Sequence, residues 1–212
     1  ILAFQEEVHS YGITGVTNLS DGASVSESGE TSYLILEALA ELEDEGKLTL
    51  RVDQSINVDA AADHDAVIAT IADLRSRYES DLIRINTVKL FIDGVTEGVT
   101  AVFLEPYTPE AGKGDDFYGE PIWTDEDLFA AVEKYDAAGI QVHVHAIGDG
   151  AVRQILNAYE AAFEANGPRD ARHTMTHVSA IANEDVERLD DLGVISALQF
   201  LWLYKDPLFE LE

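Results

Sequence analysis

Residues 140–150 read IQVHVHAIGDG and decide the fold, because an alternating strand pattern runs directly into a glycine-containing turn. On such a strand Gln141, His143 and His145 point to one side, and the residues between them point to the other. Apolar residues at helical spacing follow over 151–165. The stretch therefore predicts a strand that leads straight into a helix.

Strand and helix patterns alternate in the same way on both sides of this stretch, as they do in parallel β-α-β units. The predicted strands are Ile13–Leu19, Leu48–Val52, Thr87–Ile92, Ile140–Ala146, His173–Val178 and Val194–Gln199. The predicted helices are Thr31–Glu45, Asp63–Arg77, Thr124–Gly139, Ala151–Ala165 and Asn183–Leu192, with Thr124 and Asn183 as N-caps. This order predicts an α/β fold in one domain over 1–212, either a partial barrel or an open doubly wound sheet.

The charge balance excludes one class of partner. There are 13 basic and 41 acidic residues, and the formal net charge is −28. This charge repels phosphates, so no nucleic-acid partner is expected. The acids are dispersed, which is typical of halophilic proteins, in which salt screens the repulsion. An acidic mesophilic protein or a divalent-ion buffer is the alternative.

Two absences in the sequence restrict the chemistry further. No cysteine is present, which excludes a disulfide framework, a thiolate metal site and a cysteine nucleophile. No apolar run is long enough to span a bilayer. We therefore expect a soluble, cytoplasmic protein without a membrane partner.

Three of the predicted strands carry paired polar residues at even spacing, which places each pair on one face: Lys89 with Asp93, His143 with His145, and His173 with His177. In a barrel these faces would line the interior, and barrel enzymes keep their active sites at the C-terminal strand ends. A buried lysine needs a carboxylate partner, loss of its proton or a modification. Each residue also has a structural interpretation, as a hydrogen-bonded core histidine or as an Asp93–Lys89 ion pair.

A stretch without regular periodicity, residues 94–123, contains three prolines and several glycines. Loops of this length in compact domains are usually functional or mobile. We expect this loop to lie over the C-terminal strand ends and to be more mobile than the helices. The turn after His145 is neither a Walker loop nor a GxGxxG fingerprint, and no nucleophile elbow is visible.

Residues 88–94 (VKLFIDG), 143–149 (HVHAIGD) and 172–177 (RHTMTH) resemble the amidohydrolase superfamily, in the branch that contains N-substituted formamide deformylase. Residues 12–17 (GITGVT) and 193–199 (GVISALQ) are similar to the flanking strands of that family. The resemblance covers nearly the whole chain in order, and its HAIGD segment is the most specific part. It implies a partial (β/α)8 TIM barrel of about six parallel strands with outer helices.

The resemblance also implies a metal-dependent hydrolase that cleaves C–N bonds other than peptide bonds, in an amide, a cyclic amide or a formamide. The implied cofactor is one or two divalent metal ions, zinc in the first place, held by Lys89 in carboxylated form and by His145 and His177. Four neighbours are expected to orient ligands, anchor loops or contact the substrate: Asp93, His143, Asp149 and His173.

The chain departs from the family pattern in ways that favour an interior fragment. The first-strand His-x-His pair and the eighth-strand Asp, the general base, are absent from these residues. We interpret this as loss of the first and last barrel strands, and we expect the fragment alone to be inactive, with Lys89 unmodified. Thr176 and Phe200 stand where many relatives have Glu and Pro, which we interpret as variation between branches.

Two other functions compete with the hydrolase. A non-catalytic regulatory protein on the same barrel, like the exoenzyme regulators that resemble this family, is the alternative. A doubly wound nucleotide-binding module would need a glycine fingerprint that the sequence lacks. A small molecule is the expected binding partner, and the sequence leaves homo-oligomerisation open.

Overall fold

The computed structural model describes residues 1–19, 24–25 and 31–203, along which strands and helices alternate. The chain divides into two compact units. The first comprises Ile1–Lys89 with Ala138–Gln141, and the second comprises Leu90–Ala137 with Val142–Glu212. None of the helices in the described residues is long and apolar enough to cross a membrane.

The first unit carries the early strands and three helices. Its helices are α1 (Leu2–Ser10), α2 (Leu34–Asp44) and α3 (His64–Tyr78), and its strands are β1 (Gly15–Asn18), β2 (Ser24–Val25), β3 (Thr31–Ser32), β4 (Arg51–Val58) and β5 (Ile83–Phe91), which begins in this unit. β4 pairs in parallel with β1 and with β5, and this register places Asn57 beside Lys89. β2 pairs in parallel with β4 and antiparallel with β3.

Helix α3 shows how the sequence builds this unit. The side chain of Asp63 accepts hydrogen bonds from the backbone N–H groups of Asp65 and Ala66, both at 3.1 Å, so it caps the helix. Val67, Ile71 and Leu74 follow at helical spacing on one buried face. The strands of the unit add further buried apolar residues: Val52, Ile56, Ile83, Ile85 and Val88.

The second unit carries the later elements. They are α4 (Asp125–Ala137), β6 (Gln141–Ala146, of which Gln141 belongs to the first unit), α5 (Asp149–Asn166), β7 (Thr174–His177), α6 (Asn183–Asp191) and β8 (Ile195–Ala197). β7 pairs in parallel with β6 and with β8. Val142, Val144 and Met175 on these strands are fully buried. Parallel strands that alternate with helices give the α/β fold of a partial (β/α)8 barrel, which confirms the predicted fold class.

The structure corrects the start of β4, which the sequence placed at Leu48. The amide oxygen of Gln5 accepts hydrogen bonds from the N–H groups of Thr49 and Leu50, at 2.7 and 3.2 Å, and its amide nitrogen donates to the carbonyl of Lys47. These backbone groups therefore bind a side chain of α1 instead of a neighbouring strand. The strand begins only at Arg51.

The two predicted N-caps have different outcomes. Thr124 is confirmed, because its hydroxyl oxygen accepts a hydrogen bond from the N–H of Asp127 at 3.2 Å. Asn183 was the wrong residue, since it is the first residue of α6 and the capping position belongs to Ala182. An alanine has no side-chain acceptor, so this helix start has no side-chain cap.

Candidate functional site

His145 lies at the C-terminal end of β6, and its side chain is buried. Its Nε2 is 2.8 Å from the carbonyl oxygen of Gly94. A carbonyl oxygen can only accept a hydrogen bond, so Nε2 carries the proton and neutral His145 has its lone pair on Nδ1. Nδ1 is therefore the atom of His145 that suits a metal ion.

His177 lies at the C-terminal end of β7, the next strand, and the centroids of the two imidazole rings are 4.7 Å apart. Its Nδ1 is 2.8 Å from the amide oxygen of Gln199, whose amide nitrogen donates to the carbonyl of Ala197. Nδ1 thus carries the proton, and the lone pair of neutral His177 is on Nε2. Trp202 stacks on the ring, with centroids 4.8 Å apart.

The register of β6 and β7 corrects the predicted arrangement of faces. His145 lies beside Thr176, and Val144 lies beside Met175. Laterally paired residues of parallel strands point to the same side of a sheet, so Thr176, not His177, shares the face of His145. The sequence pattern placed both histidines on matching faces, and that alignment was wrong.

The backbone turns at His177, and this turn explains how its ring lies so near His145. His177 has a φ of 81° and Val178 a φ of 48°. Both lie in the left-handed region, which L-residues rarely adopt and β-branched residues adopt least of all. The alternation of the strand ends at this point. Strained backbone of this kind concentrates at functional sites.

Asp93 lies close to His145 and is almost completely buried, at 1% exposure. Its Oδ2 accepts hydrogen bonds from the N–H groups of Val102 and Gly148, and its Oδ1 accepts one from Ile147. Burial raises the pKa of the carboxyl, and these three backbone donors oppose that rise. The same Oδ1 is 3.6 Å from Nε2 of His145.

The long loop over residues 94–123 packs at this edge, as the sequence predicted. The N–H of Leu104 donates to Oδ1 of Asp149, the first residue of α5, at 2.9 Å. A Cβ atom on Gly148 would lie 2.0 Å from the carbonyl oxygen of Val102, so only glycine permits this close approach. The loop therefore lies where β6 ends and α5 begins. Its greater mobility stays a prediction.

Lys89 is the last residue of the first unit, and 4% of it is exposed. Burial lowers the pKa of its ammonium to about 7, because the charged form loses its hydration. Burial therefore makes the uncharged amine more accessible for Lys89 than for an exposed lysine. The expected grouping of Lys89 with the two histidines stays a prediction.

His173 has a different setting, at the N-terminal end of β7. Its Nδ1 accepts the N–H of Val142 at 3.1 Å, and its Nε2 is 3.2 Å from a carboxylate oxygen of Asp136. Tyr159 stacks on the ring at a centroid distance of 4.8 Å. Both ring nitrogens of His173 are bound by the protein, and the structure does not bring it together with His177.

His143 and Asp149 also have defined places. His143 is buried two residues before His145, and its Nε2 contacts the hydroxyl of Thr176. This contact connects β6 to β7 one residue before His177. Asp149 anchors Leu104 of the long loop. Of the expected supporting residues, Asp93 approaches the histidine pair directly, with its Oδ1 at 3.6 Å from Nε2 of His145.

A cleft of ≈ 690 Å³ opens beside His177. Glu97 is the one acidic or basic residue among the described residues that line it, besides His177. Its walls are mainly apolar and aromatic: Val95, Phe103, Ile147, Leu198 and Trp202. The sequence reasoning missed Glu97, Trp202 and the role of Gln199. Only Gln199 had a usable signal, its position at the end of the last predicted strand.

The described residues contain no group of three or more histidine, aspartate or glutamate side chains arranged to hold a metal ion. The pair of His145 and His177 nevertheless fits part of a metal site. Both lie at adjacent C-terminal strand ends, and each has one nitrogen whose proton is fixed by a protein oxygen. Such hydrogen bonds to the second nitrogen are the usual support of metal-binding histidines.

Parallel strands with imidazoles at their C-terminal ends define an α/β-barrel protein with a candidate metal site. Residues 1–212 match the family model described as Amidohydrolase family, and the chain belongs to this family. This finding confirms the superfamily that the sequence motifs indicated. It does not single out the branch of N-substituted formamide deformylase.

The proteins similar to this chain include one named as a regulatory protein and two described as metal-dependent hydrolases. The exoenzymes regulatory protein AepA of Pectobacterium carotovorum subsp. carotovorum is 34% identical over 164 residues, 77% of this chain and 32% of that protein. An uncharacterized metal-dependent hydrolase from Pyrococcus furiosus has a TM-score of 0.66 at 30% identity, over 93% of this chain and 36% of its own. Its counterpart from Pyrococcus horikoshii OT3 has a TM-score of 0.65 at 28% identity, over 94% and 36%. The chain thus spans about a third of the length of these relatives.

Proposed function

We propose that the protein is a metal-dependent hydrolase of C–N bonds other than peptide bonds, acting on a small amide, cyclic amide or formamide. The observation that carries the proposal is the pair of strand-end imidazoles, His145 and His177, with ring centroids 4.7 Å apart. Membership of the amidohydrolase family and similarity to proteins described as metal-dependent hydrolases support it.

The hydrogen bonds of the two histidines support the choice of one metal-binding atom in each. Gly94 accepts from Nε2 of His145, and Gln199 accepts from Nδ1 of His177. We therefore assign Nδ1 of His145 and Nε2 of His177 to a divalent ion, for which zinc is the first choice because imidazole is one of its preferred ligands. When bound, the metal supplies Lewis acidity that polarises the scissile carbonyl and acidifies water.

Lys89 is proposed as a third ligand in carboxylated form. The uncharged amine is the form that attacks CO₂, which forms a carbamate and releases a proton. Burial favours that form, since it lowers the pKa of Lys89 to about 7. A carbamate offers the metal a carboxylate in place of a weakly binding amine. This role rests on the family resemblance as well as on the burial of the side chain.

The cleft beside His177 is proposed to hold the substrate next to the metal. Its apolar and aromatic walls fit an uncharged carbon substituent, whose transfer from water they favour. No lysine or arginine is among the described residues that line it, and Glu97 would repel an anionic group. The proposed substrate is therefore a small amide whose substituent is not anionic.

The test compares three histidine variants of the full-length protein, since the fragment alone is expected to be inactive, for zinc affinity and for hydrolysis of formamides and cyclic amides. Loss of a residue that merely orients a ligand weakens metal binding by about 10–100-fold. We therefore expect His145→Gln and His177→Gln to weaken zinc binding by at least about 100-fold and to abolish turnover. His173→Gln is the matched control, because His173 lies at the other end of β7 and should lose stability while its metal binding remains.

Calorimetry with zinc and a rate assay on each variant give two independent readouts. Undiminished zinc binding by His145→Gln and His177→Gln would contradict the assigned ligands. Equal losses of metal in all three variants would show a general effect on folding and would equally count against the assignment.

A regulatory, non-catalytic function is the second candidate, and the similarity to AepA is the observation that favours it. The two functions differ in one measurement on the wild-type protein. A hydrolase that binds zinc turns over at least some simple amides, whereas a regulator binds no zinc or binds it without turnover across a broad panel. Tight zinc binding together with turnover would exclude the regulatory alternative.

A further inference from the structure

Asp93 gathers backbone donors from two separate segments. Val102 donates from the long loop at 2.9 Å, and Ile147 and Gly148 each donate from the turn after β6 at 3.0 Å. A buried carboxylate with three N–H donors is fixed in position, because any rotation would leave buried donors without an acceptor. Asp93 is thus a rigid point at the end of β5.

The backbone of residues 92–94 binds both the backbone and the side chain of His145. The N–H of Ile92 donates to the carbonyl of His145 at 3.0 Å, and the carbonyl of Gly94 accepts from the imidazole at 2.8 Å. Asp93 lies between these two contacts, and its Oδ1 is 3.6 Å from Nε2 of the same ring. The position of the Gly94 carbonyl therefore depends on how Asp93 is held.

We infer that Asp93 is a positioning residue, which fixes the Nε2–H tautomer and the orientation of His145 and connects this histidine to the loop that lines the cleft. The inference rests on the proposed function, because orienting His145 matters most when Nδ1 binds a metal. Asp93 touches neither substrate nor metal in this scheme. It acts through the Gly94 carbonyl and through its own negative charge next to Nε2–H.

The link to the cleft runs through Val102. Its N–H donates to Asp93, and its carbonyl accepts from the N–H of Ala151 at 3.1 Å. The next residue, Phe103, lines the cleft together with Glu97 of the same loop. A change at Asp93 should therefore alter both the metal ligand and the wall that faces the substrate.

The competing interpretation is that Asp93 only anchors the loop, as Asp149 does. Asp149 is the matched control, since its carboxylate also accepts a backbone N–H of this loop, that of Leu104 at 2.9 Å. Its hydrogen bond to Leu104 involves neither Gly94 nor His145. Asp149→Asn and Asp93→Asn therefore both weaken a loop anchor, but only the second changes the surroundings of the His145 ring.

The experiment measures the His145 tautomer in the metal-free protein, by ¹⁵N NMR of the imidazole nitrogens, and the affinity for Co²⁺ by its absorption spectrum. Wild type should show the Nε2–H tautomer. In Asp93→Asn an amide NH₂ replaces one acceptor oxygen, and we expect a mixture of tautomers and about 10–100-fold weaker Co²⁺ binding. Asp149→Asn should leave the His145 tautomer unchanged.

Two results would overturn the inference: an Nδ1–H tautomer of His145 in the wild-type protein, or the same tautomer in Asp93→Asn as in wild type. The wild-type measurement tests the Nε2–H assignment by itself, and the Asp93→Asn spectrum tests its dependence on Asp93. Failure of the proposed function has a different signature, since a wild-type protein that binds no Co²⁺ could still show the Nε2–H tautomer and its dependence on Asp93.

Discussion

The two ends of strand β7 carry the same residue type in opposite settings. At the N-terminal end, His173 accepts a backbone N–H from Val142 and donates to the carboxylate of Asp136. At the C-terminal end, His177 donates to Gln199 and lies 4.7 Å, ring to ring, from His145. One ring is bound at both nitrogens inside the protein. The His177 ring has its proton on Nδ1, where Gln199 accepts it, and its lone pair on Nε2.

This difference shows that the hydrogen-bond partners of a histidine distinguish a structural residue from a candidate metal ligand. Its place in the strand pattern does not. A metal at His173 would have to displace either a buried backbone donor or a buried carboxylate, and each would then lack a partner. At His177 the hydrogen bond to Gln199 instead orients the ring in the manner of metal-binding histidines. We therefore expect the two ends to respond to mutation in different ways.

The largest expected effect on stability is at the His173 end. Asp136 also accepts hydrogen bonds from the exposed residues Arg169 and Asn166, at 2.6 and 2.8 Å, so Asp136→Ala removes the acceptor of three side chains, of which His173 is buried. We expect a loss of about 1.5–3 kcal/mol in the free energy of unfolding, the range for a hydrogen bond to a charged group. Urea unfolding measures it. A loss below about 1 kcal/mol would show that the hydrogen bonds of Asp136 contribute little to stability.

The carboxyl group of Asp136 also makes the stability of the protein depend on pH, and the sign of this dependence follows from its pKa. Burial raises the pKa of Asp136, but hydrogen bonds from His173 and Asn166 and the charge of Arg169 outweigh it, and the net shift is downward. A carboxyl with a lowered folded-state pKa stabilises the protein above its unfolded-state pKa, and this contribution is lost as the pH falls through the folded-state value. The difference in stability between wild type and Asp136→Ala should therefore shrink in acid. A constant difference would contradict the assignment.

The smallest expected effect comes from backbone strain, since each end of β7 has a neighbouring residue in the left-handed region. Val178, after His177, has a φ of 48°, and Arg172, before His173, has a φ of 51°. A left-handed L-residue costs about 1–2 kcal/mol, and glycine's extra chain entropy offsets about 0.5–1 kcal/mol. Val178→Gly and Arg172→Gly should therefore each raise the free energy of unfolding by up to about 1 kcal/mol.

The two glycine variants should differ in function. Only Val178→Gly loosens the turn that holds His177, so it alone should weaken zinc binding. Thermal unfolding and zinc titration of both variants measure the two effects side by side. Equal zinc affinities in the two variants would show that the left-handed turn does not serve the site.

The alternation of strands and helices, the fold class and the positions of His145 and His177 at strand ends could be predicted, because side-chain alternation and helix spacing are local properties of the sequence. The hydrogen-bond partners of these histidines could not be predicted. The contact of Asp136 with His173 joins residues 37 positions apart, and that of Gln199 with His177 joins residues 22 apart. The misplaced start of β4 has the same origin, since Gln5 binds Thr49 from 44 residues away. Nor does alternation foresee the left-handed turn that takes His177 off the strand pattern.

The central claim is that His145 and His177 bind one divalent ion through opposite ring nitrogens, whereas His173 binds none. A crystal structure of the zinc-loaded full-length protein with an anomalous difference map at the zinc edge tests it most directly. We predict one peak or a close pair, with a zinc ion about 2.0–2.1 Å from Nδ1 of His145 and from Nε2 of His177. A peak at His173, or a zinc ion bound through Nε2 of His145, would contradict the account.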